Sequence, residues 1–150
     1  MNPDFVEMLS ALSAAKADYL VVGAHALAAH GVVRATGDLD IWVRATSENS
    51  ERVWSALASF GAPLDRITKQ ELTNDDVVYQ IGVAPNRIDI LTSISGVDFQ
   101  KAWQNRLVIS LVGLQVPVLG NEDLIVNKRK AGRPQDLADV AALEKQARQE

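Results

Sequence analysis

The most constraining feature of this chain is a short apolar segment, residues 19–22, that ends at Gly23 and Ala24 and is followed by an Asp-Leu-Asp motif at 38–40. The apolar segment predicts a buried strand, and the alanine-rich stretch behind Gly23 predicts a short helix. Residues 38–43 alternate polar and apolar side chains, which predicts a second strand. A helix N-terminus favours phosphate and paired carboxylates favour a divalent cation, so this order brings two complementary binding features together.

Composition limits the classes of protein to which the chain can belong. Its 150 residues are expected to form one domain, 1–150. The absence of cysteine excludes disulfides and thiolate metal sites. A net charge of −4 argues against binding nucleic acid through the overall field. The longest apolar run, 19–29, is shorter than the ~20 residues of a membrane span, and no signal peptide is evident. We therefore expect a soluble, cytoplasmic protein without a membrane partner.

A hairpin is predicted near the C-terminal third of the chain. Residues 107–111 and 114–118 are strand-like and flank Val112 and Gly113. Pro117 cannot donate a ladder hydrogen bond, which is typical of an edge strand. Two helices are expected after the hairpin.

Three acidic side chains form the main candidate site. Asp38 and Asp40 lie two apart on the predicted strand and so share a face, with Leu39 on the other. Asp89 lies in a second strand-like run, 87–91. If the two strands are neighbours in register, three carboxylates converge and repel one another unless a cation relieves them. Mg²⁺, or Mn²⁺, suits such oxygen ligands and retains water for substrate phosphates.

This arrangement indicates nucleotidyl transfer. A metal held by Asp38, Asp40 and Asp89 would neutralise the charge that develops on departing pyrophosphate, and Asp89 suits the role of base for the attacking hydroxyl. The turn at Gly23 and Ala24 would let a triphosphate approach backbone N–H groups. A single Asp-x-Asp motif is also common on a half-exposed strand; the upstream glycine turn and the third acid favour the catalytic interpretation.

These motifs resemble the minimal nucleotidyltransferase family of the polymerase-β-like superfamily, with the nearest likeness to abortive-infection type toxins and their bacterial relatives. The matching residues are Val22-Gly23-Ala24, the acids at 38–40, Asp89, the lead-in at 34–37 and the tail from 123 to 140. The resemblance covers about residues 19–143. It implies an α/β (α+β) fold of the polymerase-β-like nucleotidyltransferase type, with a mixed β-sheet flanked by helices and a C-terminal two-helix tail.

The resemblance also implies further nucleotide-binding residues. Lys128, Arg133 and Asp136 match positions that contact nucleotide phosphates or complete the site in similar toxins. The same residues also fit a solvated helix face with an acid near a helix N-terminus. Arg34 and Thr36 precede the first acidic strand and suit phosphate binding, since arginine has forked donors; a plain loop role fits them equally. Both pairs of interpretations stay open at this point.

The function implied by the resemblance is transfer of a nucleoside monophosphate from an NTP to a hydroxyl of a protein, a tRNA or a small molecule. Such proteins often act as the toxin of a toxin–antitoxin module, with a cognate antitoxin or toxin as partner. One position departs from the family pattern, because Ala24 stands where Gly or Ser is usual. The alternative is a non-catalytic relative that binds a nucleotide or a partner protein and acts like an antitoxin.

Overall fold

A computed structural model describes residues 1–34 and 37–149. This part of the chain forms six α-helices: α1 (Pro3–Ala14), α2 (Gly23–Ala29), α3 (Ser47–Phe60), α4 (Phe99–Gln104), α5 (Asn121–Ala131) and α6 (Pro134–Gln149). The same residues form six strands: β1 (Tyr19–Val22), β2 (Leu39–Val43), β3 (Val78–Ile81), β4 (Ile88–Leu91), β5 (Leu107–Leu111) and β6 (Leu114–Val118). A short 3-10 helix, Glu71–Thr73, precedes β3.

Local sequence signals account for where the first and third helices begin and end. The side chain of Asn2 accepts a hydrogen bond from the Asp4 N–H at 2.8 Å, and Pro3 takes the first helical position of α1. The side chain of Thr46 caps the start of α3 in the same way. Gly61 ends α3 in the left-handed conformation, with φ at +93°.

All six strands form one mixed sheet in the order β3-β4-β2-β1-β6-β5. β2 lies at its centre, antiparallel to β1 and parallel to β4. The predicted fold, a mixed sheet with flanking helices and a C-terminal helix pair, is confirmed. The prediction that Pro117 marks an edge strand is wrong, because β6 lies between β5 and β1. β6 pairs with β1 at Val118, one residue past the proline, and the Leu119 N–H donates to the Val21 carbonyl at 3.0 Å.

The two faces of β2 have different environments. Leu39, Ile41 and Val43 are completely buried on one face, as the alternation of the sequence predicts. Asp40 and Trp42 lie on the other. Around the sheet, α1 packs against α3, α2 packs against β1 and β2, and α5 packs against α6. Among the helices of the described residues, none combines the length and the apolar character required to cross a bilayer.

Candidate active site

The two strands that carry Asp40 and Asp89 are neighbours. β2 and β4 run parallel, and their register places Asp40 directly beside Asp89. On the other side of β2, Asp40 lies beside Val22, the last residue of β1. Residues in register on adjacent strands face the same side of a sheet, so the two carboxylates lie together where α2 begins. The predicted convergence of these strands is confirmed.

Asp38 lies one residue before β2, so the predicted strand starts one residue too early. The strand begins instead at Leu39, whose N–H donates to the carbonyl of Arg87 at 3.0 Å. Asp38 nevertheless joins the other acids, because the Arg87 guanidinium lies 3.2 Å from its carboxylate. We refer to Asp38, Asp40 and Asp89 as the acidic site.

Arg87 is in direct contact with two of these acids. Its Nε donates to Asp89 Oδ1 at 2.9 Å, and its Nη2 donates to Asp89 Oδ2 at 3.3 Å. The same Nη2 lies 3.2 Å from Asp38 Oδ2. Arg87 was not among the site residues predicted from the sequence. The signal that identifies it is its position two residues before Asp89, which places both side chains on one strand face.

Asp40 carries the clearest electrostatic perturbation in the site. Burial raises the pKa of its carboxyl from 3.8 to about 6, and the neighbouring charges of Asp89 and Asp38 add to the rise. Arg87 and Lys128 act in the opposite direction without cancelling the effect. A carboxyl pKa that is raised by burial together with neighbouring like charges is a property of many functional sites.

Gly23 leaves the space that Asp40 occupies. Gly23 has a φ of +69°, and a Cβ placed on it would collide with Oδ2 of Asp40. The sequence therefore requires glycine here for two reasons, the left-handed backbone and the close approach of a carboxylate. Ala24 follows in the first turn of α2, where backbone N–H groups have no partner within the helix.

A second group of charged residues joins α5, α6 and the segment behind α2. We refer to it as the ion network; its members are Arg34, Lys128, Arg133, Asp136 and Asp139. Arg133 Nε donates to Asp136 Oδ2 at 2.7 Å, and Arg34 Nη2 lies 2.8 Å from Asp139 Oδ1. Lys128 Nζ lies 3.5 Å from a carboxylate oxygen of each aspartate. Both aspartates are almost completely buried.

The predicted nucleotide-binding residues thus divide between the two groups. Gly23 lies against the acidic site, and Lys128 is near enough for its charge to act on Asp40. Arg34 and Arg133 bind aspartates of the ion network. None of the hydrogen bonds that the structure describes for these two arginines reaches the acidic site. The prediction for Thr36 falls on a residue outside the described part of the chain.

The acidic site has the right chemistry for a divalent cation. Within residues 1–34 and 37–149, no three carboxylate or imidazole groups are already arranged to coordinate one ion. The donors are nevertheless carboxylate oxygens, the ligands that Mg²⁺ and Mn²⁺ prefer. The pKa of Asp40 is raised at the same place, first by burial and then by the like charges of Asp89 and Asp38, which a divalent cation would offset. The residues therefore fit such an ion if Arg87 releases Asp38 and Asp89.

Sequence comparison identifies a family for this arrangement. The model of the family described as "Nucleotidyltransferase of unknown function (DUF6036)" matches residues 4–146. That match includes all three acids, the glycine turn and the helix pair. No curated protein sequence matches the chain.

Solved structures with the same fold carry similar descriptions. A proposed nucleotidyltransferase of Thermotoga maritima, TM1012, superposes with a TM-score of 0.59 at 14% identity, covering 100% of this chain and 96% of that one. The lincosamide antibiotic adenylyltransferase LnuA, in its lincomycin-bound form, superposes with a TM-score of 0.62 at 14% identity, covering 96% of each chain. An antigenic nucleotidyltransferase-like protein of Paracoccidioides brasiliensis gives 0.54 at 14% identity, covering 93% of this chain and 74% of its own. At this identity the matches establish the fold.

Proposed function

Because this chain belongs to the nucleotidyltransferase family DUF6036, we propose that it is a metal-dependent enzyme that moves a nucleoside monophosphate from an NTP to a hydroxyl group. One observation carries the proposal: Asp40 lies in register with Asp89 on parallel strands, and Gly23, at the start of α2, lies close against the carboxylate of Asp40. Keeping this space open next to a partly buried carboxylate has no evident benefit for packing alone, since burial raises the pKa of that carboxyl and disfavours its charge.

We assign the metal-binding role to Asp38, Asp40 and Asp89. When bound, Mg²⁺ or Mn²⁺ supplies charge neutralisation for the pyrophosphate leaving group and lowers the pKa of the attacking hydroxyl. Asp40 must be ionised for this role. Its pKa of about 6 means that it is ionised at neutral pH and becomes protonated in mildly acidic solution.

Asp89 keeps the predicted role of base, with one condition set by its contacts. Both of its carboxylate oxygens accept hydrogen bonds from Arg87. The guanidinium is thus in contact with both of the oxygen atoms that would accept the hydroxyl proton. Asp89 therefore takes the hydroxyl proton only after the guanidinium of Arg87 has moved away.

Phosphate binding is assigned to the backbone at Gly23 and Ala24 and to the side chain of Lys128. Ala24 has no hydroxyl, so only its N–H contributes to that contact. Lys128 is mostly buried, and its ammonium group is held by ion pairs with Asp136 and Asp139. Its charge also lowers the pKa of Asp40 against the effect of burial. Arg34 and Arg133 support this arrangement by neutralising the same two aspartates, which favours a positioning role for them over direct contact.

The acceptor is a hydroxyl of a protein, a tRNA or a small molecule, and a toxin role within a toxin–antitoxin pair remains part of the proposal. LnuA, which shares the fold, is by its name an adenylyltransferase of lincosamide antibiotics. That supports a small molecule as one acceptor class to test here. ATP is the first nucleotide to test for the same reason.

The deciding experiment is label transfer from each of the four α-³²P-labelled NTPs, with Mg²⁺ or Mn²⁺, to a cell extract fractionated into protein, RNA and small molecules. The wild-type chain should label one fraction, and D40N should label none. D18N is the matched control, because Asp18 pairs with Arg44 at 2.8 Å outside the acidic site. If NTPs raise the melting temperature but no fraction is labelled with any NTP, the non-catalytic alternative is correct.

A further inference from the structure

The acidic site already contains a cation that belongs to the chain. Arg87 lies within 3.2 Å of Asp38 and binds Asp89 through two hydrogen bonds of 2.9 and 3.3 Å. Those are two of the three carboxylates to which the proposed function assigns the metal. Burial and the charge of these two acids both raise the pKa of the third, Asp40.

We propose that Arg87 is a resident counter-cation that must leave Asp38 and Asp89 before a divalent metal ion binds. This inference rests on the proposed function, since it concerns the same site. A divalent cation at this site would compete with the guanidinium for the negative charge of the same two carboxylates, which Arg87 contacts at both oxygens of Asp89 and at Oδ2 of Asp38. Arg87 therefore sets the metal affinity of the site without being a ligand of the metal.

The backbone around Arg87 is anchored, which confines the required movement to its side chain. The carbonyl of Arg87 accepts from Leu39 N–H at 3.0 Å, and Ile88 is already paired with Leu39 in the sheet. On the preceding side, the turn at Pro85 packs so closely against Gly37 that a Cβ on the glycine would overlap it. The Arg87 side chain is 33% exposed, so it already borders solvent into which it can move.

The other nearby cation is held differently. Lys128 lies between Asp136 and Asp139, and its side chain is 13% exposed. Its charge acts on Asp40, but its ion pairs are with the network aspartates. Arg87 has no ion pair apart from those with the acidic site among the pairs that the structure describes. It is therefore the cation whose displacement exposes the metal ligands.

A nucleotide offers a new partner for the displaced guanidinium. The forked donors of arginine match phosphate oxygens well. With Arg87 in place the three carboxylates and the guanidinium sum to a charge of about −2, and without it to about −3, when all are ionised. Removing the guanidinium therefore strengthens the attraction for a divalent cation and weakens the metal-free protein through carboxylate repulsion.

The test measures metal binding rather than activity. Mn²⁺ affinity of the full chain is determined without nucleotide, by electron paramagnetic resonance of free Mn²⁺ and by calorimetry, for wild type, R87M and R87Q. We expect both variants to bind Mn²⁺ about tenfold tighter or more, the scale on which one neighbouring charge shifts an ionic equilibrium. R44M is the matched control, since it removes an arginine paired with Asp18 outside the site, and its Mn²⁺ affinity should equal that of wild type.

The outcomes separate the two proposals. Equal Mn²⁺ affinity in wild type, R87M and R87Q overturns the counter-cation role and leaves the metal site intact. Absence of saturable Mn²⁺ binding in all three, or binding that D40N does not weaken, overturns the proposed metal site and the inference with it. If both Arg87 variants are unfolded without metal, Mn²⁺ should restore their fold, because it replaces the missing positive charge; failure to do so also overturns the inference.

Discussion

Two groups of aspartates in this protein are compensated in opposite ways. In the acidic site, Arg87 contacts two of the three carboxylates, those of Asp38 and Asp89, and the pKa of the third, Asp40, is raised to about 6. In the ion network, two carboxylates contact three cations. There, the hydrogen bonds from Arg133 hold the pKa of Asp136 below its usual value, against the effect of burial.

The difference shows how burial alone fails to distinguish a functional acid from a structural one. Asp136 is 1% exposed and Asp89 is 8% exposed, so both are buried. What differs is the number of cations: among the ion pairs of the described residues, Asp136 contacts both Arg133 and Lys128, whereas Asp89 contacts Arg87 alone and shares it with Asp38. The charge of a buried carboxylate that contacts several cations is compensated within the fold, whereas carboxylates that share one cation retain negative charge that can attract an external cation. We therefore assign function to the acidic site and support to the ion network.

The largest expected effect is on catalysis. D89N should lower kcat by roughly 10³-fold, within the range for loss of an acid–base group, because an amide neither accepts the hydroxyl proton nor binds a metal as strongly. Label transfer at saturating NTP measures the effect, with D18N as the control. Retention of more than a tenth of the wild-type rate would remove Asp89 from the mechanism.

D136N should have the largest effect on stability. It removes the partner of Arg133 and one of the two partners of Lys128, and loss of one member of a buried ion pair costs about 3 kcal/mol. Urea denaturation of the metal-free protein measures the change. L137N is a useful reference, since Leu137 is next in the helix but 52% exposed. A D136N variant as stable as wild type would show that the network does not support the fold.

G23A should destabilise the protein and weaken metal binding together. A left-handed backbone at alanine costs about 1–2 kcal/mol, and the new methyl group would also displace Asp40. G61A isolates the first effect, because Gly61 has a φ of +93° and open space around it. Thermal denaturation and Mn²⁺ titration should therefore rank G23A below G61A. Equal values for the two variants would contradict the close approach to Asp40.

The effect of replacing Asp40 has the opposite sign. The pKa of Asp40 is raised in the folded state from 3.8 to about 6, so the folded protein binds more protons than the unfolded chain between about pH 4 and pH 6. Its ionisation therefore opposes folding above pH 6, and this penalty disappears as the pH falls towards 4. D40N should stabilise the metal-free protein by roughly 2 kcal/mol at pH 7 and by almost nothing at pH 4.

The stability difference between wild type and D40N, measured by denaturant unfolding from pH 4 to pH 7, tests that sign. A difference that does not change with pH would mean that Asp40 has an ordinary pKa. Its electrostatic contrast with Asp136, whose pKa is lowered, would then be lost.

Local features of the sequence account for much of this fold. The apolar residues at 19–22 and the alternation at 39–43 identify β1 and β2, because burial follows the two-residue period of a strand. Gly23 indicates the turn between β1 and α2. The edge position predicted for Pro117 was wrong. A proline lacks only the hydrogen bond of its own backbone nitrogen, and β6 pairs with β1 at the next residue.

The chain's own residue order determined the strand bearing Asp40, the glycine beside it and the family to which the protein belongs, because these depend on short-range pattern and backbone conformation. Only the tertiary structure decided that Asp40 lies beside Asp89, that Arg87 connects Asp38 to Asp89, and that the tail acids are neutralised by Arg34, Lys128 and Arg133. Strand pairing and ion pairing join residues that are distant in sequence. The balance of charge around each carboxylate is consequently a property of the folded chain.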